Sequence, residues 1–137
     1  MALLIDTDVF IMLERRGRNL EALAASPGLA PDEQVAVAAI TASELLVGVQ
    51  RAVTDEQRAR REAFVEAILE RVPVLLFDLK SARVHARLVT QLEESGFRIG
   101  AHDLLIAATA LTHGRAILTV NVREFERVPG LEIRSLA

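Results

Sequence analysis

Residues 3–8 of the chain, Leu-Leu-Ile-Asp-Thr-Asp, set the strongest limit on the fold. An uncharged apolar run leads directly into two carboxylates, Asp6 and Asp8. A strand that is apolar on both faces is typical of a parallel sheet that helices cover on both sides. Ligands of open α/β sheets lie beyond the carboxyl ends of the strands, so Asp6 is the first candidate functional residue.

The same pattern recurs along the chain. Further apolar runs predict strands at 35–40, 74–77 and 116–120, with a short edge strand at 131–133. Helices are predicted between them at 9–16, 19–26, 79–95 and 101–113, with a helical turn at 124–127. Two more helices are predicted from their caps: one begins at Thr41 or Ser43 and ends at about 51, and the other begins at Thr54 or Asp55 and ends at 71. Strands that alternate with helices predict an α/β fold with a parallel sheet of four to five strands.

The composition narrows the class of protein. The 137 residues are 51% apolar, so we expect a single domain over residues 1–137 with a large core. Cysteine is absent, which excludes disulfides and thiolate metal sites. The net charge of -3 provides no basic footprint for nucleic acid, although a bound metal ion supplies positive charge locally. No apolar run predicts a membrane helix or a signal peptide, so we expect a soluble cytoplasmic protein.

Four polar residues stand at the functional ends of these elements. Asp6 ends the first strand, Glu44 opens the helix after the second, Asp103 lies in the first turn of the apolar helix 101–113, and Asn121 ends the fourth strand. If the first and fourth strands are neighbours, these side chains share one crevice. Carboxylates brought together repel each other, and a hard cation such as Mg²⁺ or Mn²⁺ relieves that repulsion. Such a site suits phosphoryl transfer with a metal-activated water.

Each residue also has a purely structural interpretation. Asp6 could cap the next helix, and Glu44 alone is an ordinary acid favoured by the helix dipole. Asp78 is interpreted as an N-cap and His102 as a capping or solvent-exposed residue. The arginines at 58, 60 and 61 lie among glutamates and are interpreted as a solvated face.

Four segments together resemble a known family. They are 4–9 (LIDTDV), 40–48 (ITASELLVG), 103–110 (DLLIAATA) and 119–125 (TVNVREF). Each is weak alone, but in this order and spacing they are similar to PIN-domain ribonucleases of the VapC toxin type. The resemblance extends over essentially the whole chain.

The resemblance implies a three-layer α/β/α sandwich with a parallel sheet in the order 3-2-1-4-5. It also implies Mg²⁺- or Mn²⁺-dependent RNA cleavage that inhibits translation, a cognate VapB-like antitoxin, and toxin homodimers. Asp6, Glu44 and Asp103 match the family's acidic metal-site positions, and the fourth acidic position falls on Asn121. Because Asn121 has no charge, we hypothesise that Asp8 partly replaces it. The antitoxin is expected on the apolar sides of 9–13 and 45–49.

Other functions remain open at this point. The motif Asp6-Thr7-Asp8 also matches the opening of haloacid-dehalogenase-type phosphatases, which require a downstream lysine and acid pair; Lys80 is the only lysine. A receiver-type phospho-switch would use Asp78 but lacks its lysine. A degenerate PIN domain that only binds a partner is the third alternative, because Asn121 interrupts the acidic set.

Overall fold

The computed structural model describes residues 2–136. Its strands are β1 (Ala2–Ile5), β2 (Gln34–Ala38), β3 (Val74–Leu75), β4 (Ala116–Thr119) and β5 (Ile133–Ser135). Its helices are α1 (Thr7–Arg15), α2 (Leu20–Ala24), α3 (Ala39–Gln50), α4 (Asp55–Arg71), α5 (Leu79–Ser95), α6 (Ala101–Thr112) and α7 (Val122–Phe125).

The five strands form one parallel sheet in the order β3-β2-β1-β4-β5. The expected strand order is confirmed. β1 lies at the centre and pairs with β2 on one side and β4 on the other, with Ile5 opposite Leu118. The chain therefore leaves the sheet in opposite directions after β1 and β4, and this opens a crevice at their carboxyl ends.

Helices cover both faces of the sheet and enclose two cores. Leu3 and Ile5 point to the core formed with α1, α3 and α4, where Phe10 and Ile68 are buried. Leu4, which alternates with them, points to the core formed with α5, α6 and α7. These two layers of helices complete the α/β/α sandwich, and they explain why β1 has no polar residue before Asp6.

Helix termini follow the capping residues of the sequence. Thr54 accepts a hydrogen bond from the Gln57 amide at 3.1 Å, and Asp78 accepts one from the Ser81 amide at 3.0 Å, so both predicted caps are confirmed. Helix α5 ends at Gly96, whose φ of 74° is the left-handed conformation that glycine adopts most readily.

Helix α3 begins earlier than expected. Ala38 is its N-cap and Ala39 its first residue, so the prediction of a cap at Thr41 or Ser43 is wrong. Apolar residues suit a buried strand and a buried first turn equally well, and the sequence does not separate them. The helical turn also begins earlier than predicted, at Val122, and β5 begins later, at Ile133.

Among the helices within residues 2–136, none combines the length and apolar character that a membrane crossing requires.

Candidate active site

Asp6 lies at the carboxyl end of β1, at the centre of the crevice. The β1–β4 register, extended one residue beyond Ile5 and Leu118, places Asp6 beside Thr119. The Asp6 amide donates to the Leu118 carbonyl at 2.9 Å, and the Thr119 hydroxyl donates to Asp6 Oδ2 at 2.8 Å. Asp6 occupies the N-cap position of α1, but its side chain makes no capping hydrogen bond. The carboxylate is therefore directed to the crevice.

The pKa of Asp6 is raised from its ordinary 3.8 to about 7, mainly by burial and to a smaller extent by the negative charges of Asp8 and Asp103, while the Thr119 hydroxyl lowers it. The residue is only 1% exposed. A buried carboxylate without a cationic partner is unfavourable, and such groups concentrate at functional sites.

Glu44 is held through both of its carboxylate oxygens. The Thr7 hydroxyl donates to Oε1 at 2.8 Å, and the Thr7 oxygen lies 2.9 Å from the hydroxyl of buried Thr41. Because a hydroxyl has one proton, Thr41 donates to Thr7, which donates to Glu44. His102 Nδ1 lies 3.2 Å from Glu44 Oε2. His102 is exposed, as one of its two predicted roles requires, and it also contacts an acid of the crevice.

Asp103 lies in the first turn of α6 and approaches the backbone closely. A Cβ atom on Gly100, the N-cap of α6, would lie 3.4 Å from Asp103 Oδ2, so glycine leaves room for this carboxylate. Burial raises the pKa of Asp103 to about 6; the negative charges of Glu124, Asp8 and Glu44 add to this, and His102 opposes it. Asp103 is thus the point at which the acids of the crevice converge.

Glu124 is the functional candidate that sequence reasoning missed. It lies in α7, accepts a hydrogen bond from the Gly100 amide at 3.2 Å, and its charge acts on Asp103. The predicted turn at 124–127 placed Glu124 at a helix start, whereas the observed α7 places it three residues after the N-cap Asn121. Asn121 and Glu124 are separated like the N-cap and N3 residues of a helix, and this spacing could have identified Glu124 from the sequence.

Within residues 2–136, the Asn121 side chain forms no hydrogen bond with these acids. Asn121 is exposed, its amide donates to Thr119 Oγ1 at 2.9 Å, and its side chain makes no capping hydrogen bond to α7. Asp8, by contrast, is exposed at the mouth of the crevice and acts electrostatically on both Asp6 and Asp103. The acids of the crevice are Asp6, Asp8, Glu44, Asp103 and Glu124.

The segments expected to receive an antitoxin, 9–13 and 45–49, contain both buried and exposed apolar residues. Val9, Leu13, Leu45 and Val49 are core residues of at most 7% exposure. Ile11, Leu46 and Val47 are exposed by 36–40%. Ile11 also lines a groove of 240 Å³ between α1, α3 and α4.

Arg61 occupies the space beside Gly48. Its guanidinium donates to the Gly48 carbonyl at 2.8 Å and lies 3.3 Å from Glu14. A Cβ atom on Gly48 would meet the Arg61 side chain at 3.7 Å. Arg61 therefore ties α4 to α1 and α3, which fits the interpretation of this basic segment as structural.

The donor chemistry of the crevice fits a hard divalent cation. Its candidate ligands are carboxylate oxygens, and two of them have pKa values raised by burial and by mutual repulsion, which a cation would relieve. Within the part of the chain from 2 to 136, no three His, Asp or Glu side chains are close enough to hold an ion as they stand. Side-chain rotation is therefore required, above all of Glu44, whose oxygens Thr7 and His102 engage.

Comparison with known proteins identifies the family to which this fold belongs. The PIN domain family model matches residues 3–131. The chain belongs to the PIN-domain family.

Curated relatives place it within the VapC group of PIN domains. It is 36% identical to Ribonuclease VapC1 of Rickettsia felis over 137 residues, which are 100% of this chain and 98% of the relative. It is 33% identical to the tRNA(fMet)-specific endonuclease VapC of Salmonella typhimurium, over 73% of this chain and 74% of that protein. The resemblance carried by the four sequence segments is confirmed.

A solved structure agrees with this placement. The chain superposes on a chain of the DNA-bound VapBC crystal structure from Salmonella typhimurium with a TM-score of 0.84 at 26% identity, covering 100% of this PIN domain and 99% of that chain. The phosphatase and receiver alternatives gain no support from these comparisons.

Proposed function

We propose that this PIN domain is a Mg²⁺- or Mn²⁺-dependent endoribonuclease toxin of a toxin–antitoxin pair, which inhibits translation by cutting RNA. The buried Asp6 carboxylate, within electrostatic reach of Asp103 in a crevice lined by acids, is the observation that carries the proposal. The family and its relatives named as ribonucleases support the same chemistry. Asp6, Glu44 and Asp103 are the proposed metal ligands, and Glu124 is a better candidate than Asn121 for a fourth acid.

The residues of the crevice have distinct roles in this proposal. A bound divalent cation supplies a Lewis acid that lowers the pKa of a water and neutralises charge on the phosphate. Thr119 fixes the Asp6 carboxylate at the carboxyl end of β1, and Thr7, supported by Thr41, orients Glu44. The Gly100 amide, at the start of α6, donates to Glu124 and fixes this carboxylate near Asp103. The Thr119 contact holds Asp6 before substrate arrives, whereas Glu44 must leave its contacts with Thr7 and His102 to reach an ion.

Cleavage of single-stranded RNA by the purified protein tests the proposal. We expect cleavage with Mg²⁺ or Mn²⁺, none in EDTA, and recovery when the metal is restored. Asp6→Asn and Asp103→Asn each remove a ligand charge and should lower the rate by orders of magnitude. Asp32→Asn, in an exposed turn, is the matched control. Cleavage that persists in EDTA, or in both variants, would exclude the metal site.

The contribution of Asp8 to metal binding can be tested separately. If its charge compensates for the uncharged Asn121, Asp8→Asn should weaken Mg²⁺ binding and activity together. Glu124→Gln is the informative comparison, because Glu124 also acts on Asp103. A loss in Glu124→Gln with unchanged affinity in Asp8→Asn would assign the fourth charge to Glu124 alone.

The proposed protein partners are a VapB-like antitoxin and a second copy of the chain. Solved relatives from Rickettsia felis and Haemophilus influenzae are VapBC assemblies. The antitoxin is expected at the exposed apolar side chains of Ile11, Leu46 and Val47, on α1 and α3. Leu46→Asp should abolish co-purification with a co-expressed VapB-type antitoxin while leaving the thermal melting temperature unchanged. Sedimentation of the free protein tests the homodimer.

A further inference from the structure

An acidic crevice does not by itself attract RNA. Five carboxylates line or border it, and the whole chain has a formal net charge of -3. A substrate that carries one negative charge per nucleotide is repelled by such a site except where a cation intervenes. Cationic side chains close to the crevice are therefore needed to hold the parts of the strand that flank the reacting phosphate.

Three arginines at the end of α1 are available for this purpose. Arg15, Arg16 and Arg18 are exposed, and within residues 2–136 none of them forms an ion pair. Several other arginines are engaged by the protein itself, at positions 58, 61, 71 and 134 by carboxylates and at position 115 by the Leu3 carbonyl.

A cleft leads from the crevice to these arginines. Its volume is 480 Å³, and its lining consists of Asp8 at one end, Arg15 and Arg16 at the other, and an apolar floor of Ile11, Met12 and Val120. Asp8 and Arg15 are both in α1, seven residues apart, so the cleft follows the helix for about 10 Å. A second cavity of 280 Å³, which shares Met12, Arg16 and Val120 with the cleft, continues to Arg18.

We propose that this α1 cleft binds the sugar-phosphate backbone of single-stranded RNA next to the scissile bond. Arg15 and Arg16 contact the phosphates of neighbouring nucleotides, because guanidinium groups pair with phosphate oxygens in a bidentate geometry. The floor of Ile11, Met12 and Val120 contacts ribose and base surfaces. Backbone contacts position the strand and do not read bases, so this cleft contributes affinity and register and leaves sequence choice to other residues.

The inference rests on the proposed nuclease function, but its tests do not depend on cleavage. Binding of a short fluorescein-labelled single-stranded RNA is measured by anisotropy in EDTA, on an Asp103→Asn background that leaves the RNA intact. The double variant Arg15→Ala/Arg16→Ala should weaken binding at low salt by about tenfold or more. It should also reduce the slope of log affinity against log salt by about 1.4, since each of the two lost contacts to a single strand accounts for roughly 0.7.

The matched control is Arg83→Ala/Arg87→Ala. These arginines are exposed on α5, on the opposite side of the sheet from α1, and form no ion pair within the described residues. This control removes the same net charge, so it should leave affinity and salt slope near those of the parent. An equal loss of RNA affinity in both double variants would show a general charge effect and would contradict the proposal that the α1 cleft binds RNA.

A cleavage experiment adds a second criterion. Lengthening the RNA by a few nucleotides at one end should lower KM for the parent, because the added phosphates reach the arginines. Arg15→Ala/Arg16→Ala should lose this gain, whereas Arg83→Ala/Arg87→Ala should keep it. An undiminished gain in the Arg15→Ala/Arg16→Ala variant would contradict the inference even if the protein is a nuclease. Absence of cleavage by the parent would contradict the proposed function. The binding measurement would then determine by itself whether the α1 cleft binds RNA.

Discussion

Asp6 links the stability of the protein to its function. Its carboxyl binds a proton more tightly in the folded chain, with a pKa of about 7, than at its ordinary value of 3.8. The resulting contribution to stability is complete below the ordinary pKa and is lost as pH rises through about 7. Between these values the folded state holds more protons than the unfolded state, so stability falls with rising pH.

Replacing Asp6 by Asn should remove the loss of stability that accompanies rising pH. We expect Asp6→Asn to melt at least ~5 °C higher than the parent near neutral pH or above, and to match it at acidic pH. Thermal melts over a pH series in EDTA measure the effect. The exposed turn residue supplies the control, since Asp32→Asn should follow the parent curve. A parent curve that is flat between acidic and neutral pH would contradict the raised pKa.

The Thr119 hydroxyl should lower the pKa of the Asp6 carboxyl group. Thr119→Val deletes the hydroxyl that donates to Asp6 at 2.8 Å and lowers its pKa, so the pKa of Asp6 should rise further. We expect kcat/KM to fall by about tenfold, with its acid limb displaced to higher pH. Thr119→Ser retains the hydroxyl and should restore the profile. If Val and Ser behave alike, this hydrogen bond does not position Asp6.

The acids of the site were predictable to different degrees. Asp6 and Asp103 stand at the start of recognisable elements, and the structure brings them within electrostatic reach of each other. Glu124 was not predicted, because a shift of two residues in the start of α7 changes which side chain faces Gly100. The hydroxyl contacts of Thr7 and Thr119 depend on the register of strands that are far apart in sequence.

At the scale of elements, the sequence is informative where side chains cap a helix. Helix α5 has the predicted limits, because Asp78 caps its start and Gly96 adopts φ 74° at its end. Helix α3 has no side-chain cap, and its first residues are apolar, so its start was misplaced. Local capping chemistry is readable from sequence, whereas the change from strand to helix inside an apolar run is decided by packing.

The cap of α5 can be tested independently of the site. Asp78→Ala removes the acceptor for the Ser81 amide and hydroxyl, at 3.0 and 3.1 Å, and should lower the urea concentration at the midpoint of unfolding. Urea denaturation measures this change. Arg87→Ala, exposed on the same helix, should have a smaller effect. RNA cleavage by folded Asp78→Ala should equal that of the parent, because Asp78 lies outside the crevice.

At the scale of the molecule, alternation of strands and helices predicted a parallel sheet but not its order. The order 3-2-1-4-5 came from the family resemblance, and the convergence of Asp6 with Asp103 depended on β1 and β4 being neighbours. Nothing in the apolar runs themselves specifies that pairing, since each strand would pair equally well with another. Only the assembled sheet determines which carboxyl ends share a crevice.

The assembled crevice predicts how a metal ion acts on the whole protein. An ion that binds only the folded state stabilises it by RT ln(1 + [L]/Kd), about 2.7 kcal/mol at a hundredfold excess over Kd. Because Asp6 and Asp103 have pKa values of about 7 and about 6, their protons compete with the ion below neutral pH.

We therefore expect Mn²⁺ to raise the melting temperature by several degrees at a pH above 7 and to have little effect at a pH near 5, where both carboxyls are protonated. Differential scanning fluorimetry with a metal titration gives the shift and the apparent Kd at each pH. Asp103→Asn should abolish the shift, and Asp32→Asn should retain it. A shift of equal size at both pH values, or one that survives in Asp103→Asn, would place the bound ion elsewhere on the protein.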